Sequence, residues 1–291
     1  MQNERNVQEK VTLLDGKTLS LEIREDIRKQ IEKRKAEDKT IPCLATILVG
    51  QDPASETYVK MKVKACEQAG MHSIRRDLPE TTTTAELLEE IQRLNANPDV
   101  HGILLQHPVP EQIDERACFD AIAIDKDVDG VTTQGYGLMS FGLPSYPSCT
   151  PAGIMRMMSH YGIEPEGKHA VVVGRSAILG RPLAALLIQA NATVTVCHSK
   201  TKDLPSHVKQ ADLVFAACGK PNFVQGDWLK EGAVVIDAGY NKGNVGDADF
   251  ESCSKRASAI TPVPGGVGPM TIAMLLLHTL QSAQGRDVSL I

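Results

Sequence analysis

Tyr58 and Lys62 stand four residues apart in Ser55-Glu56-Thr57-Tyr58-Val59-Lys60-Met61-Lys62, a spacing that puts two side chains on one helix face. An amine beside a phenol suits proton transfer once desolvation or neighbours bring the lysine down from its ordinary pKa of ~10.4. Lys60 and Lys64 lie in the same stretch, and a solvated lysine stripe is the ordinary reading of any one of them. Lys62 is set apart by sharing the face of Tyr58. In Gly102-Ile103-Leu104-Leu105-Gln106-His107-Pro108-Val109-Pro110, an apolar run ends on Gln106 and His107 just before a proline. Polar groups at the C-terminal end of a buried strand lie where α/β sheets bind ligands, although a plain strand-to-loop cap reads the same way.

Asp125-Lys126-Asp127-Val128-Asp129-Gly130 copies the opening of a calcium-binding EF-hand loop. That loop needs a bidentate Glu at position twelve, and counting from Asp125 reaches Tyr136, so a calcium module is a poor fit. Two readings remain: an acidic turn facing solvent, or an Asp that accepts hydrogen bonds from an amino-heterocycle.

Val171-Val172-Val173-Gly174-Arg175-Ser176-Ala177-Ile178-Leu179-Gly180-Arg181-Pro182 reads as a strand, a small-residue loop and a helix start. Gly174 permits a tight turn and a close approach to phosphate, whose charge the helix N-terminus receives. The pattern departs from a strict GxGxxG, since Ser176 takes the second glycine position and the last glycine comes one residue late. An NAD site offers Asp or Glu about 20 residues later for the ribose 2′-OH. Here the next strand ends Cys197-His198-Ser199-Lys200, with no acid. Arg175 and Ser199 suit a 2′-phosphate instead, and the cofactor expected is NADP.

These pieces need elements to carry them. Apolar periodicity predicts helices over residues 17–35, 54–69 and 85–95 and strands over 43–49 and 100–105. The alternation restarts near residue 150, where Thr150-Pro151 has the form of an N-cap and a first-turn proline. Helices follow over 150–161, 182–190 and 270–280, with strands over 169–173, 193–197, 213–217 and 233–237. This is α/β grammar with a Rossmann-like, doubly wound second half. Roughly the first ten residues read as a frayed tail. The tract from 81 to 84 is the only low-complexity stretch, and there are no internal repeats.

With 291 residues, two domains of roughly 150 residues each are expected. The net charge of -5 speaks against a nucleic-acid binder. Seven scattered cysteines form no CxxC pair, which disfavours disulfide frameworks and zinc sites and suits a reducing compartment. The polar, partly acidic start has neither signal-peptide nor transit-peptide character, and no apolar run approaches the ~20 residues of a membrane span. A soluble cytoplasmic protein is expected, with no metal and no membrane partner.

Taken together, the chain resembles the bifunctional methylenetetrahydrofolate dehydrogenase/methenyltetrahydrofolate cyclohydrolase family. The motifs are Tyr58-Val59-Lys60-Met61-Lys62, Gly102-Ile103-Leu104-Leu105-Gln106, Lys126-Asp127-Val128-Asp129-Gly130, Cys149-Thr150-Pro151, Gly174-Arg175-Ser176 and the run from Thr261 to Thr271, in that order. The resemblance implies oxidation of 5,10-methylenetetrahydrofolate with NADP+ and hydrolysis of the methenyl product to 10-formyltetrahydrofolate. It implies two α/β domains flanking a cleft: residues 1–149 with 270–291 for folate and catalysis, 150–269 for NADP, usually in a homodimer. Lys62 would be the central catalytic lysine, Tyr58 would stack on the folate, and Gln106 would set the protonation of Lys62. Asp129 would bind the pterin, Ser55 would line the pocket, and Pro264, Gly265 and Gly266 would approach the substrate by backbone. Gly174, Arg175, Ser176 and Ser199 would bind NADP, with Tyr240 near the nicotinamide.

The sequence departs from the family pattern at His107, where Leu is typical, and at Gly135, Ser148 and Tyr240. Three rival readings are an NADP dehydrogenase of another small substrate, a non-catalytic binding protein that keeps the fold, and an enzyme that retains only one of the two activities. Intact Lys62, Gln106 and Asp129 argue against the second. A formyl-transfer synthetase is not expected, since the sequence has no GxxxxGK[ST] loop and its length leaves no space for another domain.

Overall fold

The computed structural model describes residues 11–285, and the expected frayed tail lies outside them. In chain order the first half comprises β1 (Thr12–Leu13), α1 (Gly16–Ala36), β2 (Cys43–Val49), α2 (Pro53–Ala69) and β3 (His72–Leu78). It continues with α3 (Thr84–Ala96), β4 (Gly102–Leu105), α4 (Glu115–Asp120) and α5 (Thr133–Ser140). Then come α6 (Cys149–His160), β5 (His169–Val173), α7 (Gly180–Gln189), β6 (Thr193–Cys197), α8 (Leu204–Val208) and β7 (Leu213–Ala216). The chain closes with β8 (Val234–Asp237), α9 (Phe250–Ser254), β9 (Ala259–Ile260) and α10 (Val267–Ala283).

The described residues form two compact units, 17–156 with 269–285 and 11–16 with 157–268. These limits differ from the expected division at the start of the chain, because β1 pairs in parallel with β9 and so extends the other unit's sheet. They differ also near residue 150, where the boundary falls within α6.

In the unit containing α1 to α5, the sheet is parallel with order β3-β2-β4. Every residue of β2 is buried, as its unbroken apolar run predicts for a central strand. Its Ala45, Ile47 and Val49 pack with Leu87, Ile91 and Leu94 of α3 and Ile103 and Leu105 of β4. Burial of each large aliphatic side chain contributes about 1.5–3 kcal/mol. The every-fourth-residue pattern of α1 places Leu19, Ile23, Ile27 and Ile31 inside. The threonine tract has a local function: Thr83 caps α3 in a capping box with Glu86. Periodicity overlooked β3, since His-Ser-Ile-Arg-Arg-Asp-Leu is too polar to read as a buried strand; it lies at the sheet edge, largely outside the core.

The other unit holds a six-stranded sheet of order β1-β9-β8-β7-β5-β6, parallel throughout. The chain leaves β5 for its neighbour β6 on one side and then crosses to β7 on the other. The C-terminal end of β5 is therefore a topological switch point, the place where such sheets bind ligands.

Thr150 does not cap α6, contrary to expectation. The helix starts one residue earlier, at Cys149; Ala152 N donates to Ser148 O, and the Thr150 hydroxyl pairs with that of Thr271 at 3.0 Å. No helix among the described residues is long and apolar enough to cross a membrane.

Candidate active site

The start of α2 is held by Asp52, whose carboxylate accepts from Ser55 N at 2.7 Å, with Pro53 in the first turn. Gly70 ends the helix in the left-handed region at φ 77°. Ser55, Tyr58 and Lys62 are spaced by three and four residues and share a face. Ser55 is buried, Lys62 partly buried, and Tyr58 keeps 39% of its surface.

Gln106 follows β4 directly and extends the ladder, its N–H donating to Ile47 O at 2.9 Å. This fixes its backbone at the strand end, where its buried side chain meets α2. Lys62 Nζ donates to Gln106 Oε1 at 3.0 Å. Burial lowers the Lys62 pKa, and this outweighs the attraction of Asp129, which acts to raise it. The structure thus brings Lys62, Gln106 and Asp129 into one electrostatic neighbourhood, with Tyr58 and Ser55 on the same helix face.

The residues around Asp129 build local turns. Lys126 Nζ donates to the carbonyls of Leu94, Asn95 and Asn97 at 3.2, 2.7 and 2.7 Å, closing the end of α3. Asp127 accepts from Val131 N at 3.0 Å and Thr132 N at 2.9 Å, and burial pushes its carboxyl up to about 6. Gly130 has φ 66°, and a Cβ there would lie 2.4 Å from Ser148 N. Asp125, Asp127 and Asp129 are therefore not equivalent: Asp127 is occupied by backbone, and Asp129 is the carboxylate within the influence of Lys62.

In the sequence Cys149 is marked only as part of the Cys149-Thr150-Pro151 motif, with no role of its own. Its buried thiol donates to Val128 O at 3.2 Å and hydrogen-bonds the Asp129 side chain, and burial pushes it well above the ordinary thiol range. His278 Nδ1 donates to the same carbonyl at 2.9 Å, with burial lowering the imidazole to about 4. The Cys149-Thr150-Pro151 motif was the available signal; no spacing rule marks a buried thiol beside a carboxylate.

In the six-stranded unit, Gly174 ends β5 with φ 140°, and a Cβ would lie 1.9 Å from Ala217 O. Gly180 packs onto it: a Cβ there would meet Gly174 O at 2.3 Å. The backbone is thus drawn in where a phosphate approaches a sheet, and no side chain at Leu179 caps α7. Arg175, Ser176 and Ser199 are exposed, Ser199 just past β6. The expected absence of a carboxylate at that strand end leaves Ser199 and Lys200 at the surface, chemistry that suits a phosphorylated ribose. The residues present fit the dinucleotide. Tyr240 is exposed and donates to Asn244 Oδ1 at 2.6 Å. Pro264, Gly265 and Gly266 belong to this unit, and Gly266 O lies 2.0 Å from where a Gly16 Cβ would be.

Two buried carboxylates missed by sequence reasoning order the loops here. Asp247 accepts from Cys218 N and Gly219 N at 2.6 and 2.7 Å, fixing the turn after β7. Asp237 accepts from Gly239 N, Asp247 N and Ala248 N, and burial raises it to about 6. The only sequence signal was an aspartate ending an apolar strand.

One unit with a parallel sheet and a glycine-lined switch point, and one whose partly buried lysine and buried amide meet at a strand end, define a dinucleotide-dependent enzyme of the two-unit α/β class. Residues 14–129 match the catalytic domain, and 148–287 the NAD(P)-binding domain, of the tetrahydrofolate dehydrogenase/cyclohydrolase family models. The chain belongs to the tetrahydrofolate dehydrogenase/cyclohydrolase family. It is 60% identical over 272 residues to the bifunctional protein FolD of Saccharophagus degradans, covering 94% of this chain and 97% of that protein. The crystal structure of a bifunctional FolD from Campylobacter jejuni superposes with a TM-score of 0.93 at 48% identity, covering 95% of this chain and 99% of that one. A Trypanosoma brucei dehydrogenase-cyclohydrolase, complexed with NADP cofactor and an inhibitor, gives a TM-score of 0.89 at 35% identity over 94% and 98% of the chains.

Proposed function

We propose that this chain oxidises 5,10-methylenetetrahydrofolate with NADP+ and hydrolyses the methenyl product to 10-formyltetrahydrofolate, with Lys62 as the group that moves the proton. The observation that carries the reading is the Lys62 amine, its pKa lowered by burial, held 3.0 Å from Gln106 Oε1. The NADP-bound relative and the acid-free end of β6 support NADP over NAD.

When bound, NADP+ supplies the acceptor for the hydride that leaves the methylene carbon. No strong base is needed for that step, because the methenyl cation delocalises its charge over N5, the bridging carbon and N10; positioning is the protein's contribution. Tyr58 stacks on the folate, Asp129 accepts from the pterin nitrogens, and Ser55 lines the pocket. Pro264, Gly265 and Gly266 offer backbone to the substrate. Gly174, Arg175, Ser176 and Ser199 hold the cofactor phosphates, with Tyr240 toward the nicotinamide.

Hydrolysis needs more of the protein. Water oxygen bonds to the cationic carbon while one of its protons passes to the neutral Lys62 amine. The carbon–N5 bond then breaks, N5 takes the proton back from Lys62, and the remaining hydroxyl proton leaves to solvent as the N10-formyl group forms. Gln106 keeps the lysine at hand throughout. The folate-binding domain is proposed as residues 1–149 with 270–291 and the NADP domain as 150–269, the compact units differing at 11–16 and within α6. A cytoplasmic homodimer that binds no nucleic acid completes the reading; the net charge of -5 supports its last part.

Lys62→Met tests the assignment. It should abolish cyclohydrolase turnover, followed by decay of methenyl-folate absorbance, while NADP affinity stays near that of the parent. Retained turnover would remove Lys62 from the role.

A further inference from the structure

Gln106 serves Lys62 only if its side-chain amide is turned the right way round, and the residues beyond it determine that. We infer that His107 and Glu115 form a clamp that positions the Gln106 amide, and through it the Lys62 amine; the inference rests on the role proposed for Lys62. Gln106 Nε2 donates to the backbone oxygen of its neighbour His107 at 2.7 Å. A carbonyl oxygen can only accept, so the amide nitrogen has to face it, and Oε1 is left facing Lys62 at 3.0 Å. With the amide reversed, its oxygen would face the His107 carbonyl oxygen, and Lys62 would lose its acceptor whenever it carries the proton. The position of the His107 carbonyl therefore selects the orientation in which Gln106 accepts from the lysine.

That carbonyl is held from outside. His107 Nδ1 lies 2.6 Å from Glu115 Oε1, and the same oxygen accepts from Val109 N at 3.4 Å. One carboxylate oxygen thus engages residues on both sides of Pro108. Glu115 is itself fixed as the first residue of α4, whose N-cap Asp114 accepts from Ala117 N at 3.0 Å. The side chains of His107 and Glu115 keep 50% and 31% of their surface, so neither is there to fill the core. An exposed pair of this kind adds about 0–1 kcal/mol to stability. Its consequence is geometric, one residue away from the amide that holds the reactive amine. Both are positioning residues; neither touches the lysine.

The test compares His107→Leu with His107→Asn, whose Nδ2 takes the place of Nδ1 and keeps the bond to Glu115. Acid–base assistance contributes ~10²–10⁴-fold, and loss of alignment should forfeit part of it. In His107→Leu the cyclohydrolase kcat should fall about tenfold, while KM and the dehydrogenase kcat stay within about twofold. His107→Asn should return the cyclohydrolase kcat to within about twofold of the parent. Parent-like cyclohydrolase in His107→Leu, equal impairment of the Asn variant, or a parallel fall in both activities would overturn the clamp. Lys62→Met, assayed alongside, separates the two levels. If it turns over, the lysine reading fails and the clamp with it; if it is inactive while His107→Leu matches the parent, the clamp alone fails.

Discussion

Burial and attraction act on the Lys62 ammonium in opposite directions, and burial is the larger. Cys149, kept as a thiol by its own burial, brings no charge near neutrality, which leaves Asp129 as the attraction that opposes burial. A depressed pKa makes the neutral amine available at lower pH than for a solvated lysine, so cyclohydrolase turnover should rise with pH through a limb below ~10.4. Gln106→Glu replaces the accepting amide with a carboxylate that favours the ammonium. Its limb should move to higher pH and its rate at pH 7 should fall; a pH–rate profile that coincides with the parent's would show that Gln106 does not govern the lysine. Lys62 and Gln106 were legible in sequence as polar groups at meaningful places, a helix face and a strand end. Cys149, Asp237 and Asp247 were not, because what distinguishes them is burial and backbone partners contributed by distant segments.

At the scale of elements, the runs that read clearly were those whose burial matches a single period. All of β2 and the inner face of α1 are inside. The edge strand β3 was illegible because a strand bonded on one side can carry arginines and a histidine without cost. Short helices such as α4 and α9 carry too few turns for periodicity and are marked only by their capping aspartates, Asp114 and Asp249. The turn between β5 and α7 is different, since its glycines answer to geometry. Gly174→Ala would place a methyl group on Ala217 O in a backbone region that L-residues rarely adopt. NADP affinity, measured by titration calorimetry, should fall at least about tenfold, with methenyl-folate hydrolysis affected far less. Unaltered NADP binding in that variant would show that the loop does not approach the cofactor.

At the scale of the whole molecule, each unit contains, among the described residues, a buried aspartate held at about 6, Asp127 in one and Asp237 in the other. The unfolded value is ~3.9, so between roughly pH 4 and pH 6 the folded chain binds more protons than the unfolded chain. The contribution of these groups to stability is therefore largest in acid and is lost as pH rises through the folded pKa. The urea midpoint of the parent should fall more steeply between pH 4 and pH 6 than that of Asp237→Asn, whose amide does not titrate. Identical slopes would assign the pH dependence to other groups. The two-domain α/β plan itself was legible, because the strand–helix alternation restarts near residue 150.

Neither sheet-bearing unit is a continuous stretch of chain. The strand at residues 12–13 finds its partner only at 259–260, and the unit of α1 to α5 takes in residues beyond 268. During synthesis, then, the early residues must wait for nearly the whole polypeptide to emerge from the ribosome, and no single cut yields two self-sufficient fragments. A nascent chain stalled near residue 200 would leave β1 unpaired and one edge of β5 unfinished, with α10 still to be made, so such intermediates are natural clients for chaperones.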